Sequence, residues 1–374
     1  MRCALLLFLI CFAAGIAAAE PKAPPVAGRA WIVADLTSGQ VLGARHPDER
    51  FEPASLTKLM TAYVVFTALR EGRLAPGQAA PVSARAARAA GSRMFLEAGR
   101  PARVDDLVRG MIVQSGNDAC IALAEAVAGS EQAFVERMNR EAGRLGMSNT
   151  RFENVTGLPH AGHYSSARDL YLLSAALIRD FPQDYARYYA QKEFAYNNVV
   201  QPNRNRLLWL DASVDGVKTG HTESAGYCLV ASSRRNGRRL LSVLLGAASE
   251  NARVQESQRL LNWGFQFFDS VRLYAAGEPV RSLQVWKGAA PAVRVGLAED
   301  LVVAVPRGEA DRLRAELVSS QPLVAPLAGG QKVGAVRVSF DGRPFGERAA
   351  VTLEPVAEAG LLGRAWDTLR LWVK

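Results

Sequence analysis

Cysteine and histidine are both scarce in this sequence, which contains four residues of each. Two of the cysteines, Cys3 and Cys11, lie in an N-terminal apolar segment, so only Cys120 and Cys228 remain in the rest of the chain. Two cysteines cannot build a disulfide framework or a zinc cluster, and no histidine falls in an H-E-x-x-H pattern. We therefore expect packed, unpaired thiols and no metal or other cofactor, although an oxidising compartment would permit a bond between the two thiols.

The sequence has one long hydrophobic run, and it lies at the N-terminus. Residues 1–19 contain one Arg, an apolar run from Ala4, and small residues that end at Ala19. This order predicts a secretory signal peptide that is removed after Ala19. A retained membrane anchor is the alternative, but the apolar core is shorter than the roughly 20 residues that a membrane span requires. Acylation at Cys11 is disfavoured by the bulky Ile10 before it, so we expect an exported protein without a lipid.

Basic residues exceed acidic ones, and the formal net charge is +9. Removal of the single Arg in the predicted signal peptide, 9 minus 1, leaves +8. The basic residues are scattered, and the sequence lacks an aromatic-basic motif of the kind that binds nucleic acid. In an exported protein this charge favours an anionic cell envelope over a nucleic-acid partner. A contribution to solubility alone is the alternative.

Strand and helix patterns alternate through residues 20–272. Two short strands joined at Ser38 and Gly39 precede an apolar pattern of helical spacing that begins at Ser55. Helical patterns dominate residues 104–179, and residues 207–247 show the alternation of antiparallel strands before a closing helix. This part of the chain is expected to form one large α/β domain.

The pattern changes near Leu273. Residues 273–356 consist of short alternating runs separated by Gly and Pro, which is typical of a small β-rich domain. Residues 357–374 place apolar side chains, including two Trp, on one face of a helix and cations on the other. This helix is too short and too charged to span a bilayer, so we expect residues 358–374 to lie in a membrane interface. A helix packed on its own domain is the alternative.

Three short polar motifs form the candidate site. In chain order they are Ser55 with Lys58, Ser115 with Asn117, and Lys218-Thr219-Gly220. Each motif alone has an ordinary explanation, because serine and asparagine cap helices and lysine is a common solvated residue. Together, and in these local contexts, they match the S-x-x-K, S-x-N and K-T-G motifs of the penicillin-recognising serine enzymes.

The chemistry of these motifs can be stated from their side chains. A serine hydroxyl becomes a nucleophile when a base lies within hydrogen-bond reach. Lys58, one helical turn from Ser55, can be that base if burial and the nearby cation Lys218 lower its pKa. Ser115 can relay a proton to the leaving group, and the Asn117 amide can hold Lys58 and contact a peptide substrate.

Longer stretches extend the resemblance over nearly the whole chain: "EPASLTKLMTAYV", "SGNDACIALAE", "TGLPHAGHYSSARDL", "VDGVKTGHTESAGYCLVAS" and "LLNWGFQFF". They resemble the D-alanyl-D-alanine carboxypeptidases among the low-molecular-mass penicillin-binding proteins. "VAVPRG", "APLAGGQKVG" and the amphipathic tail are similar to the C-terminal domain and anchor of that family. The resemblance implies an α/β fold with an antiparallel sheet flanked by helices, then a β-rich domain and an amphipathic helix.

The resemblance also assigns roles to individual residues. Ser55 would be the acylated nucleophile and Lys58 its base, with Ser115 as the third catalytic residue. The implied substrate-binding residues are Asn117, Lys218, Thr219, Gly220, His221, Arg253 and Arg204. Arg253 would face the terminal carboxylate of the substrate, which a carboxypeptidase must recognise. The backbone N–H of His221 and the helix start at Ser55 would bind the oxyanion. The segment from residue 91 to residue 99 would flank the site, with no role assigned to its arginine.

The reaction that the resemblance implies is removal of the terminal D-Ala from peptidoglycan stem pentapeptides through an acyl-enzyme, with β-lactams as covalent inhibitors. The enzyme would be periplasmic and peripherally attached to the outer face of the cytoplasmic membrane. A β-lactamase is disfavoured because no E-x-x-L-N segment lies between Ser115 and Lys218. A DD-endopeptidase that cleaves cross-links and a non-catalytic peptidoglycan-binding protein are further alternatives. The loop histidines His160 and His163 are expected to be solvated.

Overall fold

The computed structural model describes residues 21–372. The predicted signal peptide, residues 1–19, lies outside the described residues. Within residues 21–372 a five-stranded sheet with helices on its faces is followed by a β-rich part and a C-terminal helix. The predicted fold class is therefore confirmed.

The helices among the described residues are, in chain order, α1 (Lys58–Arg70), α2 (Ala84–Ala87), α3 (Val104–Arg109), α4 (Asn117–Ala128), α5 (Glu131–Arg144), α6 (Ala167–Asp180), α7 (Pro182–Tyr188), α8 (Leu207–Leu210), α9 (Glu250–Phe267) and α10 (Leu361–Trp372). Short 3-10 turns cover Ala54–Thr57 and Ala310–Arg312, and a π-helical turn covers Gly110–Gln114.

The strands in the same range are β1 (Ala30–Asp35), β2 (Gln40–Arg45), β3 (Ala79–Ala80), β4 (Ala102–Arg103), β5 (Glu193–Tyr196), β6 (Val199–Pro202), β7 (Val214–Thr222), β8 (Gly226–Arg235), β9 (Arg238–Ala247), β10 (Phe268–Tyr274), β11 (Pro279–Trp286), β12 (Ala292–Leu297), β13 (Leu301–Pro306), β14 (Leu313–Ser319), β15 (Leu323–Val324), β16 (Lys332–Phe340) and β17 (Arg343–Thr352).

The main sheet is antiparallel throughout, with strand order β2-β1-β9-β8-β7. Every residue of β1 is buried, because both faces of the sheet are covered. Trp31 and Val33 pack on one face with Leu260 and Trp263 of α9. The alternate residues of β1 pack on the other face with the helical core. Residues 30–34 of β1 are therefore apolar without a break, although the strand belongs to an antiparallel sheet.

Helix α1 passes through the middle of the larger part. Ten of its thirteen residues are buried, and they lie on all sides of the helix. A helix that is apolar all round is stable only where neighbours cover every face. Here the cover comes from the helices α4, α5 and α6. This burial fixes the position of the turn that precedes α1, and that turn carries Ser55.

The β-rich part contains a six-stranded sheet of order β14-β16-β17-β12-β11-β15 and the antiparallel pair β10 and β13. Polar contacts join it to the main sheet. The Gln40 side chain exchanges two hydrogen bonds with the Ala304 backbone, at 3.3 and 2.6 Å. The buried Asp35 carboxylate pairs with Arg238 at 2.7 Å and accepts a hydrogen bond from Ser270. Removal of either partner would leave this buried carboxylate poorly compensated, so the contact helps to hold the β-rich part against the main sheet.

Helix α10 contacts the β-rich part through its polar face. The Lys287 backbone N–H donates to Asp367 at 2.6 Å, and the Arg370 guanidinium lies 5.8 Å from the centre of the Trp286 ring. The apolar side chains of the helix point away and are between 64% and 90% exposed: Leu361, Leu362, Trp366, Leu369 and Trp372. The last two residues, 373 and 374, lie outside the described range. Of the helices in residues 21–372, none is long and apolar enough to cross a membrane.

Candidate active site

Ser55 lies in the 3-10 turn Ala54–Thr57 immediately before α1, not in the helix itself. Its side chain does not cap the helix. Its Oγ instead accepts a hydrogen bond of 3.0 Å from Lys58 Nζ, which also donates to the Thr156 carbonyl at 2.6 Å. The structure thus brings the predicted nucleophile and base into contact. It adds Thr156, which the sequence analysis missed because it lies 98 residues away in the chain.

The loop that carries Thr156 approaches the Ser55 turn very closely. Gly157 has φ +85°, and a Cβ atom on it would lie 1.8 Å from the Ala54 carbonyl oxygen. Glycine alone accommodates both the positive φ and this contact. The glycine therefore allows the Thr156 carbonyl to reach Lys58.

Lys58 is 2% exposed, and burial is the main cause that lowers its pKa to about 8. The charge of Arg204 lowers this pKa further. A neutral amine is consequently accessible near neutral pH, which is what a general base for a serine hydroxyl requires. Burial is the cause that the sequence predicted, whereas the cation that lowers this pKa is Arg204 and not the predicted Lys218.

A second lysine and serine form a parallel pair. Ser115 follows the π-helical turn with a left-handed φ of 65°, immediately before α4, and its Oγ accepts a hydrogen bond of 3.0 Å from Lys218 Nζ. Burial, and then the charge of Lys58, holds the pKa of Lys218 well below its usual value. Two buried ammonium groups so close together disfavour simultaneous protonation.

Asn117 departs from one expectation. Its Nδ2 donates to the Ala90 carbonyl at 2.6 Å, whereas its buried Oδ1 has no hydrogen-bond partner among the described residues. The predicted contact with Lys58 is not formed, because Ser55 and Thr156 accept the hydrogen bonds of that lysine. A buried amide oxygen without a partner is costly, so it is suited to accept a hydrogen bond from a ligand.

The segment that flanks the site is held by a residue that the sequence analysis did not select. The buried Asp118 carboxylate accepts hydrogen bonds from the backbone N–H groups of Met94 and Leu96. The Ser92 carbonyl accepts the Asn117 N–H at 2.7 Å, and Ser92 lines the cleft. The acidic residue after S-x-N is the only sequence signal for this arrangement.

A cleft of about 310 Å³ opens in front of these pairs. Its lining contains six of the predicted residues besides Ser55: Ser115, Arg204, Thr219, Gly220, His221 and Arg253. The other lining residues are Ser92, Tyr227 and Glu250. Lys58, Asn117 and Lys218 are buried behind the cleft. A Cβ atom on Gly220 would lie 3.0 Å from the Pro53 carbonyl oxygen, so this glycine allows β7 to pack against the Ser55 turn.

Arg253, from α9, is 5% exposed and lies in the wall of the cleft. Its guanidinium donates to Glu250 at 3.0 Å and to the Arg204 carbonyl at 3.3 Å, and lies 5.6 Å from the centre of the Tyr227 ring. Its Nε lacks a partner among the described residues. The Tyr227 ring centre is in turn 4.0 Å from that of His221. A cation held in this way can pair with an anionic ligand.

The expectation for one loop histidine is wrong. His160 is exposed, but His163 is 3% exposed, and its Nε2 lies 2.8 Å from Thr57 Oγ1. Its Nδ1 accepts the Glu153 N–H at 3.1 Å, and burial lowers the pKa of His163 to about 4. Loop composition indicated solvent, whereas the partner on the Ser55 turn lies 106 residues away.

The two cysteine thiols near the site are not reactive groups. Cys120 and Cys228 are buried and unpaired, as predicted, and burial raises the pKa of each thiol to about 11. Thiols with such a pKa are poor nucleophiles at neutral pH. Within residues 21–372, no group of three or more His, Cys, Asp or Glu side chains is placed to hold a metal ion.

Comparisons with known proteins identify the family of this chain. Residues 17–249 match the family described as D-alanyl-D-alanine carboxypeptidase, and residues 268–358 match the penicillin-binding protein 5 C-terminal domain. The chain is 44% identical over 370 residues to D-alanyl-D-alanine carboxypeptidase DacC of Escherichia coli strain K12. The matched residues cover 96% of this chain and 92% of that protein.

Two solved structures are similar to the chain. Penicillin binding protein 5 from Haemophilus influenzae has a TM-score of 0.86 at 39% identity, with 90% of this chain and 99% of that chain covered. Penicillin-binding protein D2 from Listeria monocytogenes, in its ampicillin-bound form, has a TM-score of 0.60 at 29% identity, with 66% and 100% covered. The chain belongs to the D-alanyl-D-alanine carboxypeptidase family.

Proposed function

We propose that this protein is a serine-type carboxypeptidase that removes the terminal D-Ala from peptidoglycan stem pentapeptides. The observation that carries the proposal is the convergence of two lysine and serine pairs on one cleft that also contains the Arg253 guanidinium. The names of the relatives support the same reaction. The cleft is polar and open, as a site for a charged peptide end requires.

Acylation would begin at Ser55. The neutral amine of Lys58 takes the hydroxyl proton as Oγ bonds to the carbonyl carbon of the penultimate D-Ala. The backbone N–H groups at Ser55 and His221 are the proposed donors to the oxyanion. The C–N bond to the terminal D-Ala then breaks, and the leaving amine receives a proton through Ser115, next to Lys218. Water completes the cycle by hydrolysing the ester.

Substrate binding would use the wall of the cleft. The peptide lies along β7 beside Lys218, Thr219 and Gly220, and the free Asn117 Oδ1 accepts a hydrogen bond from its backbone. Arg253 pairs with the terminal carboxylate. Arg204 adds positive charge at the same side. A β-lactam would acylate Ser55 in the same position, in keeping with the ampicillin-bound form of the Listeria relative.

The proposed location is the outer face of the cytoplasmic membrane after export and removal of residues 1–19. The orientation of α10 supports peripheral attachment, because its polar side contacts the β-rich part and its apolar side faces outward. Two exposed Trp residues beside cations are typical of an interfacial helix. We divide the mature chain into a catalytic domain (20–272), a β-rich domain (273–356) and the anchor (357–374).

The test is mass spectrometry of diacetyl-Lys-D-Ala-D-Ala incubated with the mature protein. Loss of one D-Ala by the wild type but not by Ser55→Ala is the expected result. An intact peptide in both reactions would reject the carboxypeptidase and leave a cross-link endopeptidase or a binding protein to be tested with cross-linked muropeptides.

A further inference from the structure

A second recess opens beside the catalytic cleft. It has a volume of about 660 Å³ and shares two lining residues with the cleft, Arg204 and Glu250. Its other walls include Gln114, Trp209 and Leu210. Gln114 immediately precedes Ser115 in the chain, so the recess lies next to the pair formed by Ser115 and Lys218. The volume is in the range of sites that bind small organic groups.

The recess adjoins the part of the cleft that contains Arg253. In the proposed reaction, the carboxylate that pairs with Arg253 belongs to the departing residue. Both shared residues contact Arg253, because its guanidinium donates to the Glu250 carboxylate and to the Arg204 carbonyl. A side chain on the departing residue would therefore lie near the entrance to the recess.

The apolar lining of the recess is presented by a fixed turn. In α8, Leu207 and Leu208 are buried in a cluster with β8 and α9, whereas Trp209 is 46% and Leu210 58% exposed. The buried pair anchors the turn, and the exposed pair forms an uncovered apolar wall. Exposed large apolar side chains next to a polar cleft indicate a place where an apolar ligand group is bound.

The charges of the recess select against a cationic group. Arg204 and Arg206 line it, and the Arg204 guanidinium forms no ion pair with the described residues. Among the described residues of the lining, Glu250 alone is acidic, and it is already paired with Arg253 at 3.0 Å. An uncharged side chain is therefore favoured over that of lysine.

We propose that this recess binds the side chain of the C-terminal residue of the substrate, and that the enzyme releases apolar D-residues larger than alanine. The inference rests on the proposed carboxypeptidase function. The covalent step is unchanged: Ser55 Oγ bonds to the acyl carbon, the C–N bond to the terminal D-residue breaks, and the leaving amine takes the proton. The recess selects which residue leaves.

The experiment measures kcat/KM for diacetyl-Lys-D-Ala-D-X, with D-Ala, D-Leu, D-Phe or D-Lys as X. The wild type should release D-Leu and D-Phe within about tenfold of D-Ala, and D-Lys more slowly. Trp209→Ala and Leu210→Ala should each lower release of D-Leu and D-Phe by about tenfold while leaving D-Ala within about twofold. Val200→Ala is the matched control, because Val200 is an exposed apolar residue outside the recess.

The outcomes separate the two levels of the proposal. If the enzyme releases D-Ala but neither D-Leu nor D-Phe, the proposed role of the recess is wrong and the proposed carboxypeptidase function still stands. The recess is also excluded as the binding site if Trp209→Ala and Leu210→Ala lower kcat/KM equally for all peptides. Release of D-Lys as fast as D-Leu would exclude it as well. An enzyme that does not release D-Ala overturns the proposed function and the recess together.

Discussion

Lys218 Nζ lies 3.0 Å from Ser115 Oγ, although the two residues are 103 positions apart in the chain. The contact crosses from strand β7 of the main sheet to the turn before α4 in the helical part. The substrate cleft lies between these elements, so the hydrogen bond links both walls of the site. The hydrogen bond therefore holds Ser115 beside β7, the strand that contributes Thr219 and Gly220 to the cleft.

Loss of the Lys218 amine should impair chemistry more than folding. Lys218→Met keeps the length and apolar stem of the side chain, and it should lower the rate of acylation by about 10²–10⁴-fold. Acylation is measured with a fluorescent penicillin in stopped flow. In the proposed proton path Ser115 and Lys218 act as one unit, so the double variant Ser115→Ala with Lys218→Met should be little slower than either single variant. Additive losses would contradict the shared proton path.

The pKa of Lys58 predicts how the rate of acylation depends on pH. In the proposed mechanism the neutral amine is the base, and burial lowers its pKa to about 8. The acylation rate should therefore rise about tenfold per pH unit below pH 8 and level off above it. A rate that is flat from pH 6 to pH 9 would exclude a titrating lysine base.

His163 should make the fold sensitive to mild acid. Its pKa is about 4 in the folded protein and 6.5 for the unperturbed group, so the unfolded chain binds more protons between these values. Its contribution to stability is complete above pH 6.5 and is lost as the pH falls toward 4. Chemical denaturation should show the free energy of unfolding falling by about 3 kcal/mol more in wild type than in His163→Gln over this window. Parallel curves would show that His163 does not titrate in this way.

The outward face of α10 predicts membrane attachment through apolar contact. Trp366→Glu should abolish sedimentation with phosphatidylglycerol vesicles, while hydrolysis of a soluble peptide stays unchanged. The matched control is Val200→Glu, which also replaces an exposed apolar side chain with a carboxylate but lies on the β6 strand. Equal loss in both variants would indicate a general charge effect. Unchanged sedimentation in Trp366→Glu would reject the anchor.

The sequence predicts correctly those contacts of the site that depend on the spacing of residues within one motif. Ser55 and Lys58 are three residues apart, so their contact follows from the 3-10 turn that carries Ser55 and the start of α1 that carries Lys58. The fold was predictable because strand alternation and helical periodicity differ along the chain. The partners of buried groups were not predictable, since Thr156 meets Lys58, and Asp118 meets Met94, only through long-range packing.

The apolar recess shows the same limit of sequence reasoning. Trp209 and Leu210 follow two other leucine residues, and the spacing alone does not show which of the four face outward. The structure separates them, because Leu207 and Leu208 pack into the core beneath the sheet.

The proposed mechanism depends on Ser55 as the nucleophile and Lys58 as its base. The most direct measurement is peptide mapping by mass spectrometry after brief exposure to benzylpenicillin, with Ser55→Ala and Lys58→Met as companions. In wild type we expect one penicilloyl group on the peptide that contains Ser55. Ser55→Ala should carry no label, and labelling of Lys58→Met should be strongly slowed. A label on Ser115, or labelling that survives in Ser55→Ala, would contradict the proposed mechanism.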